Sequence, residues 1–283
     1  VNELEKKVDT NALKTHLFKA FYQCQPEIDL SSFNLSSSDL RMIGEFIADE
    51  MGECFHVGYT FRFSGGKLIV EYLMSASEYQ QKYEELVYAK NQLLIGIKDN
   101  ILLTDVEKAL LIHDRLALVC EYDYEYNNYD CYNALVTGVA VCQGYAEAYD
   151  YLLEEVGIES YICESDELNH AWNIIYINNK PYHVDVTWDD VSWSNGERGV
   201  LGAVSHKNFL RSTSGMYDTG HTAFDYDAYP NDTTYDNYYW QRSETAFALV
   251  GNEIYYIDNA SKKIKRVRDN TEICSVSGDW YAS

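Results

Sequence analysis

At 283 residues, with 46% hydrophobic and 14% aromatic content, the chain can bury a sizeable core, and domain sizes predict two domains with a third small piece. Its 45 Asp and Glu against 22 Lys and Arg give a formal net charge of −23, which argues against nucleic acid as a partner and against adsorption to anionic membranes. No apolar run reaches the roughly 18 residues needed to span a bilayer. Peptides, cationic polymers or uncharged substrates suit such a chain better. The 26 Tyr against 10 Phe favour amphipathic contact surfaces.

Seven cysteines, Cys24, Cys54, Cys120, Cys131, Cys142, Cys163 and Cys274, form no C-x-x-C pair, so no zinc site is expected. The sequence opens on Val1 rather than Met, and the expectation is a processed product, extracellular or at a cell surface.

Taken in order, residues 1–22 predict a helix through Leu4, Val8, Leu13, Leu17, Ala20 and Phe21. A second helix is predicted from Ser38 or Asp39 to about Met51, stopped by Gly52. The period then changes to alternation over residues 55–63 and 68–72 about Gly65-Gly66, which reads as a hairpin. A further helix runs from Ser77 to Gly96. Residues 1–100 thus form an expected N-terminal α+β region of helix–helix–hairpin–helix order, without a catalytic cluster.

Thr104-Asp105-Val106-Glu107 is a capping box that opens a helix to about Cys120, with His113-Asp114 in its middle. His113 is expected to be a core or capping residue. Residues 121–137, rich in Tyr, Asn and acids, show no regular period and read as a loop, either touching substrate or merely connecting.

Cys142 starts the next helical pattern, Tyr145, Tyr149, Leu152, Leu153 and Val156, which Gly157 ends. A thiol in a helix's first turn meets unpaired amides and the positive end of the dipole, which favour the thiolate and could hold an oxyanion. Gly144 is expected to leave room for a substrate backbone. Asn178-Asn179 reads as a two-residue turn between strands 171–177 and 180–187. If Ile177 faces Lys180, Asp185 faces Trp172, and His170 lies two residues along the same face, diagonal to Asp185 and within its reach. Cys142, His170 and Asp185 are therefore the candidate nucleophile, base and orienting carboxylate. Gln143 and Tyr132 are candidate oxyanion or substrate contacts. Trp172 and Trp188 are expected to wall the cleft or fill the core. His183, His206 and His221 have no partner readable from the sequence.

These motifs, Gly138-Val139-Ala140-Val141-Cys142-Gln143-Gly144-Tyr145-Ala146, then Asn169-His170-Ala171-Trp172-Asn173, then Val184-Asp185-Val186-Thr187-Trp188-Asp189-Asp190, resemble the microbial transglutaminase-like superfamily, itself similar to papain-type folds. The resemblance covers about residues 101–215. It implies an α+β fold with a Cys nucleophile helix packed on an antiparallel sheet that carries His and Asp. It does not fix the reaction, because the superfamily spans cross-linking enzymes, peptidases, amidases and members without known activity.

After Gly215 the composition turns to Asp, Tyr, Asn and Pro, read as long loops. From Ala246 strands return about a Gly251-Asn252 turn and run on to Lys262–Val267, like one unit of a β-repeat. The expected domains are therefore residues 1–100, a catalytic domain at 101–225, and a C-terminal β extension at 226–283. The expected function is a hydrolase or acyltransferase acting on amide or peptide bonds through a thiol acyl-enzyme, with no cofactor. Its expected partners are peptides or proteins, cell-wall material included. The rival is a non-catalytic module that binds peptide or polysaccharide at a cell surface.

Overall fold

The computed structural model describes residues 8–36, 39–191, 202–223 and 229–276, and resolves into two compact units, Val1–Tyr88 and Ala89–Ser283. The first unit begins with helix α1 (Thr10–Tyr22), capped by Asp9, whose carboxylate accepts from Ala12 N at 3.0 Å. Strand β1 (Glu27–Asp29), helix α2 (Asp39–Glu50) and strands β2 (Val57–Ser64) and β3 (Lys67–Tyr72) follow. The β2–β3 hairpin closes on Gly65 and Gly66, both at positive φ, as a two-residue turn of this hand requires. The three strands are antiparallel in the order β1-β3-β2. Leu13, Leu17, Phe21, Ile43, Phe46, Leu68 and Val70 form the core of this unit. Helix α3 (Ala76–Leu93) follows, and its last five residues belong to the second unit.

The second unit holds everything else. Helix α4 (Asp105–Val119) starts with both halves of its capping box formed, Thr104 with Glu107. The Tyr-rich stretch departs from the expected loop. Strand β4 (Glu121–Tyr122) pairs in parallel with β5 (Val139–Ala140), and a π-helical turn spans Asn133–Thr137. Asp123 organises the segment between them, accepting from the backbone N–H of Glu125, Asn127 and Asn128 and from the Asn128 side chain at 2.7–2.9 Å. A composition suited to solvent thus hides a local carboxylate-centred fold, which no periodicity reports.

Helix α5 (Cys142–Glu154) packs against the three-stranded antiparallel sheet β6 (Ser160–Ser165), β7 (His170–Ile177) and β8 (Lys180–Val184), in which β7 is central. The β7–β8 register pairs Ile177 with Lys180 and Asn173 with Val184, and Asn178 and Asn179 both take positive φ in the turn. The strand expected to reach Thr187 stops at Val184. Asp185 there becomes the cap of a one-turn helix, α6 (Val186–Asp189), accepting from Trp188 N at 3.1 Å. Helix α7 (Thr213–Asp218) interrupts the expected loops and is capped by Ser212. The C-terminal strands β9 (Ala248–Val250), β10 (Glu253–Asp258), β11 (Lys263–Arg266) and β12 (Glu272–Ser275) form a four-stranded antiparallel meander within the same compact unit. Among the described residues, no helix is long and apolar enough to cross a membrane.

Candidate active site

Cys142 is the first residue of α5, and it is half-buried. Val141 precedes it and offers no side-chain cap, so the first-turn amides stay available to an anion. The β4–β5 pairing fixes the approach to this helix, and Gly138 at positive φ is required there, since a Cβ would lie 2.8 Å from Val119 O. The same pairing brings Tyr122 near Cys142, where burial, and then the thiol's charge, push its phenol well above its ordinary pKa. Tyr122 also contacts the rings of Tyr124 and Tyr126, at 5.1 and 6.3 Å. It is a site residue that sequence reasoning missed, because it lies twenty residues before the thiol on a strand of two residues.

Gly144 does not face a substrate. A Cβ on it would meet Ala140 Cβ at 2.8 Å and Asp130 O at 2.9 Å, so its absence lets α5 approach the preceding segment. Gln143 is half-buried and donates to Glu147 Oε1 at 2.9 Å, while the other oxygen of Glu147 accepts from Cys131 N at 3.1 Å. Tyr132 is half-buried at the start of the π-helical turn.

His170 opens β7, directly after Asn169 at positive φ. Its Nε2 lies 2.7 Å from Asp185 Oδ2, which leaves Nδ1 as the nitrogen open to the nearby Cys142 thiol. A carboxylate only accepts, so Nε2 carries the proton. Burial alone would depress this imidazole, but the charge and hydrogen bond of Asp185, with Cys142, raise it to about 10. Asp185 is fully buried. Burial opposes its charge, yet His170 and His221 hold it well below the usual carboxylate range.

His221 is the second residue that the sequence did not place. Its Nε2 reaches the same Asp185 Oδ2 at 2.8 Å, and its Nδ1 lies 3.2 Å from Thr219 Oγ1. Trp172 and Trp188 flank the pair. His170 stacks between them, with centroids at 5.5 and 5.2 Å, and His221 sits 5.0 and 4.1 Å from the same rings. Trp172 is buried and donates to His183 Nδ1 at 3.0 Å, so His183 keeps its proton on Nε2, toward Thr213. Burial, with the charge of His221, pushes His183 down to about 3. Trp188 is 41% exposed and covers the histidines from solvent.

A second buried cluster lies behind the first. His113 Nδ1 and His206 Nε2 meet Asp114 Oδ1 at 2.8 and 2.9 Å, and His113 Nε2 approaches Asp189 Oδ2 at 3.3 Å. Asn208 donates its backbone and side-chain N–H to the Asp189 carboxylate, and its backbone carbonyl accepts from Asp185 N, so both ends of the α6 turn are braced. By residue type, each His–Asp–His set could ligate a metal ion. Contacts of 2.7–2.9 Å are N–H···O hydrogen bonds, and a tetrahedral ion would hold ligand atoms roughly 3.3 Å apart.

Residues 96–193 match the model of the Transglutaminase-like superfamily. The matched segment contains Cys142, His170 and Asp185, whereas His206 and His221 lie beyond it. A crystal structure of a TGase is similar over 62% of this chain and 54% of its own, at 12% identity and a TM-score of 0.35. The chain thus spans about half the length of that structure. A comparison with curated proteins returns no match.

Proposed function

We propose that the chain is a cysteine-dependent enzyme that cleaves or transfers acyl groups at amide or peptide bonds. The observation that carries this reading is one imidazole placed between a thiol and a buried carboxylate, with the thiol at an uncapped helix N-terminus. In this route the Cys142 thiolate attacks the carbonyl carbon. The oxyanion is held at the first-turn amides of α5, with the Tyr122 hydroxyl as a side-chain candidate. His170, protonated, gives its proton to the leaving amine as the C–N bond breaks, and a thioester remains. Water or a second amine then attacks the thioester while His170 takes its proton. Water makes the enzyme a hydrolase and an amine makes it a transferase. The substrate we infer is a peptide or protein, uncharged or cationic in keeping with the net charge of −23, at the cell surface or in cell-wall material.

Iodoacetamide alkylation of the native protein tests this reading directly. Cys142 should alkylate selectively over the other six cysteines, and His170→Ala should abolish that advantage. An inert Cys142, or an unchanged pH profile in His170→Ala, sinks the enzyme. The exposed rings of Tyr124, Tyr126 and Tyr129 would then favour a peptide- or polysaccharide-binding module.

A further inference from the structure

We propose that His221 is a positioning residue for the Cys142–His170–Asp185 system, donating to the same carboxylate oxygen as His170 and so setting how firmly Asp185 holds the His170 proton. The proposal rests on the catalytic reading above.

Asp185 Oδ2 receives both imidazoles, at 2.7 and 2.8 Å, and Oδ1 receives Trp188 N at 3.1 Å. The carboxylate is fully buried, so these donors take the place of water. Donors to one oxygen compete for its negative potential. A neutral His221 drains that potential through its N–H, and a protonated His221 adds a positive charge against His170. Both states weaken Asp185's hold on the His170 proton, so the direction of the effect does not depend on His221's charge. The placement is built into the fold. His221 follows α7, with its backbone N–H on Met216 O at 3.1 Å, its Nδ1 at Thr219 Oγ1, and Trp188 and Trp172 against its ring. Among the described residues, the titratable groups facing this pair are Cys142 from α5, His170 from β7, His183 from β8 and Asp185 from the α6 cap.

The test is side-chain 15N NMR of the whole chain, paired with alkylation of Cys142. In the unsubstituted protein, His221 should carry a proton on Nε2 at neutral pH. In His221→Phe the His170 titration midpoint should rise by about one pH unit, the size expected for one hydrogen bond to a charged group. The pH range in which Cys142 reacts as an ion pair should widen at its alkaline end by the same amount. His221→Gln, which returns an N–H donor, should bring the midpoint back toward the unsubstituted value. A His221 protonated on Nδ1 alone overturns the proposal, as does a folded His221→Phe with an unmoved His170 midpoint. If His221→Phe fails to fold, the proton position in the unsubstituted protein decides. An inert Cys142 beside an intact His170–Asp185–His221 set would remove the enzymatic reading and leave the shared carboxylate standing.

Discussion

Asp185 collects three donors in a place without solvent, so its negative charge, more than its shape, holds His170 in one orientation. Asp185→Asn keeps the shape and loses the charge. It should lower the His170 midpoint on NMR titration and slow acyl transfer by about 10²- to 10⁴-fold, with little loss of fold. The buried histidines also tie stability to pH. Burial works against a charged His113, but hydrogen bonds and charges from Asp114 and Asp189 raise it to about 9, above the roughly 6.5 of an unfolded chain. That stabilisation is complete below pH 6.5 and is lost as pH rises through 9. His183, pushed down to about 3, works in the other direction, and its contribution fades as pH falls below 6.5. Urea midpoints measured from pH 4 to 10 should therefore peak near neutrality. His113→Gln should flatten the alkaline side of that curve.

At the scale of elements, the contact between α5 and the segment before it depends on Gly144. Gly144→Ala places a methyl 2.9 Å from a backbone oxygen that cannot swing aside, and should cost about 1–3 kcal/mol in urea unfolding. The approach of α5 was not legible, because a glycine two residues after a candidate nucleophile reads equally well as room for substrate. The β7–β8 pairing was legible: Asn tolerates the left-handed φ that both turn positions take, and a two-residue turn leaves one register. That register put His170 and Asp185 on one face, and they meet at 2.7 Å although the strand ends one residue short of Asp185. His221 reaches the site after an aperiodic stretch and a six-residue helix, and Tyr122 from a two-residue strand. No sequence spacing encodes such arrivals.

Across the whole molecule, charge is distributed unevenly. Between Arg115 and Lys180 there is no Lys or Arg, and this stretch holds twelve acidic residues together with Cys142 and His170. A cationic methanethiosulfonate reagent should therefore modify Cys142 about 10- to 100-fold faster than its anionic analogue. The gap should close as the Debye length shrinks from about 10 Å at 0.1 M salt to about 3 Å at 1 M. The turn from Asp185 to Asp189 has a wider consequence. Asp185 serves the thiol side, Trp188 keeps water out, and Asp189 answers His113 in a separate cluster. Five consecutive residues are thus shared by the candidate site and the scaffold, and substitutions on the two sides should not add. A double-mutant cycle between His113 and His170 should show a coupling above about 0.5 kcal/mol, so the buried cluster and the candidate site should respond to substitution as one unit.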